Sequence, residues 1–107
     1  MKKIIILCFS LSLAFIFFNC KKNTTTTPNV YASSCSGTKS FLTNVSPLIQ
    51  SNCVSCHSSY STYAGVKSAS SSIRSSIVNG SMPKGGSLTD DQKNNIVCWI
   101  DAGALNN

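Results

Sequence analysis

The sequence predicts an all-α fold with no sheet, on three observations. No stretch alternates apolar and polar residues with period two. Apolar residues instead recur at helical spacing in several short segments. Thr89-Asp90-Asp91-Gln92 carries the signature of a helix start. With 107 residues the chain is one domain at most.

The elements follow in chain order. Ser46-Pro47 can open the first helix, with Ser46 as N-cap and Pro47 at the first helical position. Val45, Leu48, Ile49 and Cys53 then fall on one side of it. A middle helix over 62–67 carries Tyr63 and Val66, and another over 73–78 is closed by Asn79-Gly80. The serine-rich run 68–72 between them reads as a loop or a weak helix. In the last helix the Thr89–Gln92 capping box places Asp90 and Asp91 in the first turn, where the helix dipole favours acids. Ile96, Val97 and Ile100 supply its apolar stripe, and Gly103 ends it.

The N-terminal third has a different composition. Met1-Lys2-Lys3 is followed by an apolar run over 4–18, interrupted only by Ser10 and Ser12, and then by Asn19-Cys20-Lys21-Lys22. A charged start, a short apolar run and an abrupt polar end read as an export signal over 1–19. The run is short of the ~20 apolar residues that span a bilayer, although an uncleaved anchor is the alternative. Cys20 resembles the lipidated cysteine of the bacterial lipoprotein lipobox, while Phe17-Phe18-Asn19 depart from the small residues usual there. That resemblance implies an exported protein held to the membrane through lipid on Cys20, facing the periplasm or the cell surface. Ordinary signal cleavage before Ser33-Ser34 would instead release it. Residues 20–34, with Thr24 to Thr27 in succession, then form a lipidated, flexible tether. Its 14 residues after Cys20 reach roughly 20 Å root-mean-square. The folded domain is 35–107.

From Cys20 onward the chain has seven basic and three acidic residues, so the +6 of the whole chain overstates its basicity. There is no Lys/Arg cluster interleaved with aromatics, and nucleic acid is not an expected partner.

Cysteine arithmetic leads to the chemistry. Once Cys8 leaves with the signal and Cys20 takes lipid, Cys35, Cys53, Cys56 and Cys98 remain. Cys53-Val54-Ser55-Cys56-His57 is C-x-x-C-H, the attachment pattern of haem c. Two cysteines three residues apart at a helix end lie one turn apart on one face. They can therefore meet the two vinyl groups of one porphyrin edge, with His57 offering a nitrogen to the iron. A redox-active pair, a zinc half-site completed by Cys35 and Cys98, or a plain disulfide are the competing readings.

His57 is the only histidine, which excludes bis-histidine ligation. Met82, the only methionine beyond the signal, lies 25 residues later in Gly80-Ser81-Met82-Pro83-Lys84-Gly85-Gly86. That is loop chemistry rather than core chemistry. Pro83 stiffens the loop that would present the sulfur.

With the C-x-x-C-H group, Gly80-Ser81-Met82-Pro83 and Trp99-Ile100-Asp101-Ala102-Gly103 on one chain, residues 41–105 resemble a small class I cytochrome c domain of the membrane-tethered bacterial type. The resemblance implies an all-α fold wrapped around one covalent haem, His57 and Met82 as iron ligands, and one-electron exchange with redox protein partners. The chain would then be a carrier and not an enzyme, because both axial positions are filled. The family's first helix carries a glycine and an aromatic that cross the last helix. Here Val45, Leu48 and Ile49 occupy the matching stretch, so a different crossing is expected. Trp99 would pack on the haem edge or cover that crossing, Arg74 or Trp99 could serve a propionate, and Lys84 is the candidate docking charge.

Cys35 and Cys98 are left, and in an oxidising compartment an even remainder favours a disulfide between them. Two buried free thiols are the alternative. Two other functional classes remain in view: a five-coordinate haem enzyme or gas sensor with Met82 off the iron, and a haem-free lipoprotein stapled by disulfide or zinc.

Overall fold

Phe41, Val45 and Ile49 are spaced four apart and all three are buried, and that stripe draws the first helix back beyond the Ser46-Pro47 start expected from sequence. In the computed structural model, which describes residues 31–107, Phe41–Val45 form a π-helical turn that runs directly into α1, Ser46–Asn52. Ser40, not Ser46, is the side-chain cap, its hydroxyl accepting from the Thr43 N–H. Pro47 does sit in the first turn of α1, where its missing N–H costs nothing. The free N–H groups at the start of the turn are met by the C-terminal residue. Phe41 N–H donates to Asn107 Oδ1 at 2.8 Å and Leu42 N–H to the Asn107 carbonyl at 3.0 Å.

After a turn and a short 3-10 segment, Ser58–Ser61, comes α2, Tyr63–Ser68, capped by the Thr62 hydroxyl. Ala69 alone separates it from α3, Ser70–Val78. Most of the serine-rich run is therefore helical. Val66, Ile73 and Ile77 are buried on its inner side, and burial of that stripe outweighs the weak propensity of the exposed serines. α4, Asp90–Asp101, starts with both capping-box bonds in place. Its turns bury Ile96, Val97, Cys98 and Trp99. Among the described residues there is no strand, and no helix is long and apolar enough to cross a membrane.

The core lies where the π-helical turn and α3 pack on α4. Trp99 fills this crossing. Its ring lies 5.3 Å from Phe41 and 6.4 Å from Tyr63, and its Nε1–H donates to the Leu105 carbonyl at 2.8 Å. An aromatic from the first helical segment thus does cross the last helix, and it is Phe41. Its apolar partners Val45 and Ile49 lie along the same stripe.

The expected export signal 1–19, the expected lipidation site Cys20 and the expected tether up to residue 30 lie outside the described residues. Residues 31–34, the expected end of the tether, are instead bonded to the helices. Tyr31 N–H donates to the Val78 carbonyl at 3.1 Å, its hydroxyl shares one proton between the Asp90 carbonyl at 3.2 Å and Asn94 Oδ1, and Ser34 N–H reaches the same Asn94 oxygen at 2.9 Å. The structured domain begins by Tyr31 rather than at Cys35. At the end of this strap Cys35 is joined to Cys98 of α4 in a disulfide, with Cα atoms 5.4 Å apart.

Candidate functional site

A single cleft gathers residues from four parts of the chain. Its volume is about 470 Å³, within the ~300–1,000 Å³ of small-molecule and cofactor sites. The end of α1 and the turn after it contribute Asn52, Cys53, Cys56 and His57, the 3-10 segment contributes Tyr60, and α3 contributes Ser72, Ile73, Ser76 and Ile77. The α3–α4 loop closes the cleft with Met82, Pro83, Lys84 and Leu88.

Local backbone bonds explain why the C-x-x-C-H residues meet. Cys53 is the C-cap of α1, its N–H still bonded to the Ile49 carbonyl at 2.9 Å. The next residues curl around the Cys53 carbonyl, which accepts from Cys56 N–H at 3.1 Å and His57 N–H at 2.8 Å. This tight turn puts Cys53, Cys56 and His57 along one wall. The His57 ring is stacked on Tyr60, centroids 4.9 Å apart and planes 13° from parallel. Both thiols are free. Cys56 is exposed and Cys53 half-buried. Burial pushes the Cys53 thiol above its ordinary value, so it waits as a neutral thiol rather than a thiolate.

Met82 arrives from the opposite side of the sequence. Its N–H donates to the Ser76 carbonyl at 3.2 Å, and the preceding Ser81 N–H is held by Asn79 Oδ1 at 2.9 Å. Gly80, at φ +73, makes the left-handed step that turns the chain out of α3 and back along the cleft. Ile73, Ile77 and Leu88 are buried and give the cleft an apolar side. Ser72, Ser76 and Asn52 give it a few polar groups.

The four sequence-predicted residues Cys53, Cys56, His57 and Met82 therefore line one cleft. They bring together two thiols able to form covalent bonds, an imidazole nitrogen and a thioether sulfur. Imidazole and thioether are good ligands for a mid-row transition metal. Lys84 stands exposed at the rim. Arg74 and Trp99 do not belong to the cleft. The Arg74 guanidinium makes a paired contact with Asp101 at 2.6 and 3.0 Å, and Trp99 spends its N–H on Leu105.

The sequence reading missed Tyr60, Leu88 and the α3 wall as parts of the site. A signal for the wall was present: Ser72 and Ser76 run beside Ile73 and Ile77, each pair four residues apart. No family model, curated protein or solved structure matches the chain.

Proposed function

We propose that the chain is an exported mono-haem c-type electron carrier, tethered to the membrane through Cys20. The observation that carries this reading is the meeting of Met82 with the C-x-x-C-H residues on one cleft, across 25 residues of sequence. Nothing in the Cys53–His57 motif requires a methionine there.

The residues present fit a covalent haem. Cys53 and Cys56 are both unpaired and would hold it by two thioether bonds. His57 and Met82 would ligate the iron, and the cleft volume suits a flat cofactor partly open to solvent. The Cys35–Cys98 disulfide takes up the two sulfurs that a zinc site with Cys53 and Cys56 would need, which weighs against a zinc staple. When bound, the haem supplies a one-electron Fe(III)/Fe(II) couple.

The chain's own residues set the terms of that couple. With His57 and Met82 both holding the iron, no ligand place would be left for a substrate, which favours electron transfer over turnover. The Met82 thioether would raise the reduction potential relative to a second nitrogen ligand. Ile73, Ile77 and Leu88 keep water from one side of the cleft, in the same direction. Lys84 at the rim offers a positive charge to an acidic redox partner.

The test is expression with an oxidising haem-attachment system, followed by haem staining of a denatured gel. The expected outcome is a stained band with a mass higher by one haem. Single replacement of Cys53 or Cys56 by Ala weakens the stain, and the double variant abolishes it. A colourless protein whose mass is that of polypeptide and lipid alone refutes the reading.

A further inference from the structure

Met82 is carried on residues 79–89, a loop between α3 and α4 with one buried apolar anchor, Leu88. The two ends of this loop are bridged by one residue that comes from far outside it. Tyr31 N–H donates to the carbonyl of Val78, the last residue of α3. The Tyr31 hydroxyl shares its one proton between the carbonyl of Asp90, the first residue of α4, and Asn94 Oδ1 one turn later. The Lys93 ammonium lies 4.9 Å over the Tyr31 ring, adding a cation–π contact from the same end of α4. Four residues further along, Cys35 binds the strap covalently to Cys98 on the next turn of α4 from Asn94.

We propose that Tyr31 is a positioning residue for Met82: a clasp that fixes the distance between the ends of the 79–89 loop and so holds the thioether in the cleft. This rests on the haem reading. A loop's reach toward its far side depends on how its base is held, and here the base is closed by a hydrogen bond at each end from the same side chain and backbone. Burial, and after it the charges of Asp90 and Asp91, keep the Tyr31 phenol above its ordinary value, so it remains a donor throughout the neutral range.

The experiment compares the matured haem protein with Tyr31→Phe, Tyr31→Ala and, as a control, Tyr63→Phe. Tyr63 also donates one hydroxyl bond, to the Ala104 carbonyl at 2.9 Å, but at the far end of the core. Imidazole is titrated as a competitor for the Met82 position, read by loss of the far-red thioether-to-iron band. Amide exchange at Met82 is followed in parallel. Tyr31→Ala is expected to tighten apparent imidazole binding about tenfold, which equals about 1.4 kcal/mol. It should also speed Met82 exchange by a similar factor, with Tyr31→Phe between it and the parent. Tyr63→Phe should leave both unchanged even if it lowers the unfolding midpoint. If Tyr31→Ala moves imidazole binding and Met82 exchange no more than Tyr63→Phe does, the clasp is refuted while the haem reading stands. If the parent protein has no far-red band, Met82 ligation itself fails, and the clasp with it.

Discussion

Replacing Met82 with Ala removes the one thioether among the residues lining the cleft. On the haem reading the variant keeps its stain, because attachment belongs to Cys53 and Cys56. It loses the far-red band, its reduction potential falls, and its affinity for carbon monoxide or imidazole rises by more than tenfold. Spectra and ligand titration check this, and a band that persists in the variant would remove Met82 from the iron. A second residue-scale effect belongs to stability. Asp101 is the last residue of α4, at the negative end of the helix dipole, where a carboxylate is unfavourable. The Arg74 guanidinium bonded to it holds its carboxyl below the usual value of 3.8. A carboxyl with a lower pKa folded than unfolded stabilises the protein fully above the unfolded value and loses that contribution as pH falls through the folded one. Both side chains are over a third exposed, 40% and 37%, so the pair is worth less than about 1 kcal/mol. Asp101→Asn should therefore be slightly less stable than the parent at pH 7, and the gap should close in acid below the folded pKa. Arg74→Ala should cost more at pH 7, because it leaves the carboxylate alone at the helix end. Urea unfolding across pH measures both.

At the scale of elements, the join between the 3-10 segment and α2 has no room for a side chain. A Cβ at Gly65 would lie 1.7 Å from the Ser59 carbonyl oxygen, and backbone cannot step aside as a flexible side chain can. Gly65→Ala should cost about 1–3 kcal/mol. It should also displace the segment carrying Tyr60, whose ring is stacked on His57, so on the haem reading a changed haem spectrum should accompany the lowered unfolding midpoint. An unaltered spectrum would mean that Tyr60 does not support His57. The sequence does not disclose Gly65, because the contact is between two backbones close in space, and no residue pattern encodes it. What was legible is what local rules determine. The Thr89 capping box, the Asn79-Gly80 stop and the Thr62-started helix all rest on neighbours within four residues, and all three elements are present. The helical start at Phe41 had a local signal in the spacing of Phe41, Val45 and Ile49, whereas the partner of its first N–H groups, Asn107, has none. Tyr31 escaped because no helical or capping pattern surrounds it, while its partners are 47 and more residues away. The four cleft residues could be named because covalent attachment and ligation demand rare residue types, whereas the α3 wall is made of common ones.

For the molecule as a whole, the covalent links decide whether the fold persists. The described domain is below the ~80 residues at which a single hydrophobic core usually suffices, and its buried core is a dozen side chains. The disulfide joins residues 63 apart, and closing a loop of that size is worth about 4 kcal/mol by chain entropy. That is comparable with the net stability a core of this size supplies. A covalent haem would add a second link of another kind, tying the turn after α1 to the loop before α4 through Met82. The two links constrain different segments: the disulfide pins the strap to α4, and the haem would span the cleft between α1, α3 and the loop. Their losses should therefore be felt separately. The holo protein with both Cys35→Ser and Cys98→Ser should stay folded, with a lower unfolding midpoint. The haem-free Cys53→Ala/Cys56→Ala protein should stay folded only while its disulfide is intact. Adding reductant to that haem-free variant should abolish its helical circular dichroism, whereas the same reductant should only weaken the holo protein. A reduced, haem-free chain that keeps a cooperative unfolding transition would show instead that packing of Phe41, Tyr63 and Trp99 holds the fold without either link.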